Sequence, residues 1–205
     1  MPPIRWASDP IAVIQSFETR HRSPSAGALF AWAASTIESL HYLDDIDQAY
    51  DASHAVAGAH PPDVVDVAHA RWATSTCVTA LDLCAAGLGR SFCKHSGPRE
   101  LDLASFDVNK LFKRRVAWRA QLPQLALGWV DGVMRDADYM RVKEGRDWLI
   151  HSRLNRHFTI CPGGPPQRLK LELQSTQLEV RYVVAVARDV ATRHVSAFFG
   201  LLPNL

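Results

Sequence analysis

The chain has 205 residues, 47% hydrophobic and 21% charged, with 11 Gly, 12 Pro and 4 Cys, the composition of one globular domain of moderate size. No apolar run approaches the roughly 20 residues of a membrane helix, and Met1-Pro2-Pro3-Ile4-Arg5-Trp6 lacks the pattern of a signal peptide, so a soluble cytoplasmic protein is expected. Net charge is +2, but residues 1–103 carry 7 Lys+Arg against 12 Asp+Glu and residues 104–205 carry 16 against 9. That asymmetry turns the C-terminal half either toward an anion, phosphate first, or toward the acidic half of its own fold.

Residues 1–23 read as an arm holding Trp6 and the apolar patch Ile11-Ala12-Val13-Ile14, with no clear period. Ser23-Pro24 is a helix start, a capping hydroxyl followed by a proline whose missing N–H is not needed in the first turn. The stripe Leu29, Ala33, Thr36, Leu40, Leu43, Tyr50 then predicts one long helix over about 24–57, ended by Gly58 and Pro61-Pro62. Val67, Ala70, Thr74, Cys77, Leu81, Cys84 and Leu88 alternate in steps of three and four, the mark of a packing seam on a second helix over about 63–90. The seam makes Cys77 and Cys84 small core residues, and with Cys93 and Cys161 forming no Cys-x2-Cys pair, reduced thiols are expected. The short proline turn makes the two helices an antiparallel hairpin.

Next comes the most basic stretch, a short helix with Lys110, Lys113, Arg114, Arg115, Trp118 and Arg119, closed by Pro123. Leu125, Trp129, Val133, Met134, Ala137 and Met140 mark a third helix, with Gly145 a kink before a further segment over 146–155. The period changes near 158–174, where Phe158-Thr-Ile-Cys161, Pro162-Gly-Gly-Pro-Pro166 and the alternating Leu169, Leu171, Leu173 read as a β-hairpin. Leu178, Val183, Val186, Ala187, Val190, His194, Phe198 and Leu201 give a closing helix. The expected fold is all-α, an antiparallel helical bundle with one inserted hairpin, forming a single domain over 24–205.

Within this frame Arg146-Asp-Trp-Leu-Ile-His151 stands out. It resembles the Arg-x(4–6)-His motif of the HEPN superfamily, whose second residue is typically polar, and two long antiparallel helices precede it as in that bundle. The resemblance implies a HEPN-like fold and a metal-independent endoribonuclease without cofactors. It also implies toxin or defence roles and a homodimer whose two motifs meet in a cleft. The chemistry suits the residues: RNA cleavage without a metal needs a base for the 2′-hydroxyl, an acid for the 5′-oxygen and a cation for the charge developing at phosphorus. Histidine titrates near 6.5, and arginine grips a phosphate bidentately.

Five residues along a helix rotate about 140° and rise about 7.5 Å, so Arg146 and His151 do not share one narrow face. Asp147, four residues before His151, is placed to steady its ring. Arg153 returns to the face of Arg146, and Arg156 and His157 extend the cationic run. Lys113, Arg114, Arg115 and Arg156 are the candidate RNA contacts. Family members neutralised by a nucleotidyltransferase carry Arg-x4-His-x-Tyr; Arg153 stands at that tyrosine position here, so the resemblance does not carry over that modification, and an antitoxin or regulatory protein would act otherwise.

Two other readings stand beside this one. Glu38-x2-His41, Asp51-x2-His54 and Asp66-x2-His69 repeat a spacing used by di-iron bundles; Asp66 and His69 lie beside the buried seam rather than on it, which favours ion pairs or solvated charges and no metal. A HEPN-like module that binds RNA, nucleotide or protein without catalysis would need the same cations. His194, on the apolar stripe of the last helix, reads as a satisfied core or interface histidine.

Overall fold

A computed structural model describes residue 6 and residues 8–57, 62–93, 107–113, 120–151, 170–172 and 177–205. The architecture is all-α in character. Seven α-helices lie among the described residues: α1 Pro10–His21, α2 Pro24–Ala57, α3 Pro62–Phe92, α4 Val108–Lys113, α5 Gln124–Arg135, α6 Ala137–His151 and α7 Val180–Leu201. Two short strands, β1 Lys170–Glu172 and β2 Gln177–Glu179, precede α7, and a 3-10 turn, Leu202–Asn204, follows it.

Part of the segment expected as an arm is helix α1. Asp9 Oδ1 accepts the Ile11 amide at 3.0 Å, Pro10 opens the first turn, and Arg22 ends the helix in the left-handed region at φ 50°. Only Ile14 and Phe17 are buried, three residues apart, while Ile11 is 64% exposed. Two inward residues are too few to show a period in the sequence. Phe17 nonetheless stacks edge-on against Phe30 and Phe92, and Arg20 Nη2 donates to the Leu202 carbonyl at 2.7 Å, tying α1 to the chain's end.

The long helices run as their start signals predict. Ser23 lies against Ser91, and a Cβ on Gly87 would meet Phe30 Cε1 at 2.1 Å, so the start of α2 faces the end of α3 and the pair is antiparallel. Ala70, Thr74, Cys77, Leu81, Cys84 and Leu88 are all buried, and the Thr74 hydroxyl donates to the Ala70 carbonyl at 2.8 Å instead of leaving the seam. Burial pushes the Cys77 and Cys84 thiols well above their ordinary range, which suits inert core residues. Helix α3 is the centre of the bundle, packed by α2, α7, α6 and α4.

The sequence places a kink at Gly145, but the break lies at Asp136. Asp136 adopts extended backbone, φ −72° and ψ 114°, and its Oδ1 accepts the Asp138 amide at 2.9 Å, capping α6. Gly145 continues the helix, where a Cβ would meet only Val183 Cγ1 at 3.9 Å. Before α7, Lys170 pairs with Glu179, Leu171 with Leu178 and Glu172 with Gln177 in antiparallel register. Leu178, expected on the last helix, thus stands in a strand, and α7 begins at Val180. The expected hairpin arm at 158–161, with its proline-glycine turn, and the basic residues 114–119 lie outside the described residues.

Candidate functional site

Helix α6 carries the motif on one unbroken run of 15 residues ending at His151. Tyr139, Val142 and Leu149 are buried, in steps of three and seven, which turns this stripe to the core. Arg146, four residues after Val142, flanks the stripe and keeps 28% of its side chain exposed. Its Nε and Nη2 donate to Asp147 Oδ1 at 3.0 and 2.8 Å. The other oxygen of Asp147 lies 3.7 Å from Lys143 Nζ. Asp147 is therefore engaged by the two cations before it in the helix; its expected partner, the His151 ring, lies outside the described residues. Arg146 Nη1 has no partner among the described residues.

A half-buried carboxylate on α3 was passed over in reading the sequence. Asp82 on α3 accepts the Val108 amide at 3.0 Å and so anchors the start of α4. Burial pushes its carboxyl from 3.8 up to about 6; Asp107 adds to the rise, and the Val108 amide, Arg146 and Lys143 oppose it. Burial, reinforced by Asp82, also raises the Tyr139 hydroxyl far above its usual range. Asp82 thus stands on α3 at the start of α4, within electrostatic reach of Lys143 and Arg146 on α6.

At the other end of α6 the Leu149 carbonyl is one of the helix's terminal acceptors. Arg71 of α3 fills it, donating Nε at 3.2 Å and Nη2 at 2.7 Å. Arg71 carried no signal in the sequence because it lies off the seam and its partner is 78 residues away.

Of the other expected site residues, Lys113 closes α4 and is exposed, whereas Arg114, Arg115, Arg153, Arg156 and His157 lie outside the described residues. Of the carboxylate-x2-histidine pairs, Glu38 is exposed and His69 half-buried on their helices; the side chains of His41, Asp51, His54 and Asp66 lie outside the described residues. Among the described residues no group of three or more His, Cys, Asp or Glu is placed to hold a metal ion, and no helix is long and apolar enough to cross a membrane. His194 has a structural partner, its Nε2 standing 2.6 Å from Asp136 Oδ2 while Trp129 Nε1 donates to its carbonyl at 2.9 Å.

This arrangement offers a phosphate two donors, Nη1 of Arg146, unpaired among the described residues, and Arg71 at the helix end, on a scaffold fixed by α3. No family model, no curated protein and no solved structure matches the chain.

Proposed function

We propose that the chain is a metal-independent endoribonuclease of HEPN type, built on a HEPN-like bundle with an inserted hairpin and acting in the cytoplasm as a toxin or defence effector. Arg146 holds the scissile phosphate and His151 moves the proton. The observation that carries this reading is that Arg146 and His151 belong to one continuous helix on which Arg146 stays part-exposed with Nη1 unpaired among the described residues. RNA supplies its own 2′-hydroxyl as nucleophile, His151 takes or returns the proton, and Arg146 stabilises the charge at phosphorus. In-line displacement needs an acid and a base on opposite sides of the phosphorus, so two chains related by a two-fold axis would supply both histidines.

A second reading has a specific observation behind it. The Arg146 fork is already engaged by Asp147, which suits a module that binds RNA or a protein partner without cutting. Incubating RNA with the purified chain in EDTA separates the two. The nuclease reading expects fragments with 2′,3′-cyclic phosphate ends and intact DNA; intact RNA, or activity lost on chelation, would move support to the binding module or to metal chemistry.

A further inference from the structure

Arg71 is held by an acceptor that uses only part of its guanidinium. Nε and Nη2 both point at the Leu149 carbonyl, and Nη1 has no partner among the described residues. The residue is exposed although it is anchored. The anchor lies two residues before His151, so this cation is fixed at the end of the helix that bears the motif. The next residue on α3, Trp72, is 43% exposed. On α6, Ile150 follows the anchoring carbonyl and is 46% exposed. An oriented guanidinium followed in sequence by an exposed indole supplies what single-stranded nucleic acid needs, a donor for the backbone and a π-face for a base.

We infer that Arg71 and Trp72 form a binding surface for single-stranded RNA, Arg71 donating Nη1 to a phosphate oxygen and Trp72 stacking a base. The inference rests on the RNA reading of the α6 site but not on cleavage. The Leu149 carbonyl lowers the entropy lost on binding, because the side chain is ordered before the phosphate arrives. It also explains why an arginine serves here: a planar fork reaches a carbonyl and a phosphate at once, whereas a lysine ammonium offers a point charge.

The test is equilibrium binding of a short fluorescein-labelled 2′-O-methyl oligonucleotide of mixed sequence, which cannot be cut through its 2′ position, at several salt concentrations. Wild type should bind with a salt slope. Arg71→Gln should weaken binding roughly tenfold at low salt and reduce the slope of log Kd against log salt by about 0.7. Arg71→Lys should keep the slope while lowering the melting temperature, because it keeps the charge and loses the fork to Leu149. Trp72→Ala should weaken binding by about tenfold with the slope unchanged. Wild type that fails to bind, or an Arg71→Gln protein with the wild-type affinity and slope, would overturn the inference and confine Arg71 to capping α6. Binding lost through Arg71 by a chain that leaves RNA uncut would support this surface while ending the nuclease reading.

Discussion

Asp136 takes the Asp138 amide on one oxygen and His194 Nε2 and Arg193 Nη2 on the other, the last two at 2.6 and 2.5 Å. Burial opposes its charge, but the bonds from His194, Arg193 and the amide outweigh burial and hold the carboxyl below its usual 3.8. A carboxylate lowered in this way contributes stability above pH 3.8 that is lost as pH falls through its folded value. Asp136→Asn is expected to destabilise the fold by about 1–3 kcal/mol at pH 7, read by urea unfolding, and to reduce the loss seen on acidification. Asp82 has the opposite sign. Its folded value of about 6 lies above 3.8, so the stability it contributes in acid is lost as pH rises from about 4 to about 6. Asp82→Asn keeps an acceptor for the Val108 amide and removes the half-buried charge. The variant should exceed wild type by about 1–3 kcal/mol above pH 6 and match it more closely near pH 4; parallel stability curves across that range would contradict the assignment.

At the scale of elements, two glycines carry different weight. Gly87 is required by close approach, since a Cβ there would meet the Phe30 ring at 2.1 Å, and Phe30 is fully buried. Gly87→Ala should therefore cost about 1–3 kcal/mol by overpacking, whereas Gly145→Ala, which meets only Val183 at 3.9 Å, should be neutral or slightly stabilising. The sequence made α2 and α3 legible because a serine-proline start, a proline break and a seam in steps of three and four are local signals. Two features were illegible for one physical reason, that their determinants are distant in the chain. The break at Asp136 depends on Arg193 and His194, 57 and 58 residues away, and α1 is held by Phe30, Phe92 and the Leu202 carbonyl. Phe17→Ala tests the standing of α1: removing that fully buried ring should cost about 3–5 kcal/mol, and a loss under 1 kcal/mol would make α1 peripheral. At the site, the arginine-histidine spacing was visible as a motif, while Asp82 and Arg71 acquire roles only through α4 and α6 folding onto α3.

For the whole molecule, the two halves read from composition meet where α6 packs on α3, with Arg71 of the acidic half donating to the Leu149 carbonyl of the basic half. The proposed assembly is a homodimer. Mixing a His151→Ala chain with wild type should titrate activity down as heterodimers form, and a chain that sediments as a monomer while cleaving at full rate would contradict the shared site. Whether Arg146 and His151 cut RNA, as proposed, is decided by following RNA cleavage in EDTA by wild type, Arg146→Ala and His151→Ala, each checked for an unchanged helical circular-dichroism signal and melting temperature. Cleavage by wild type alone is expected; full activity in folded His151→Ala protein would overturn the assignment.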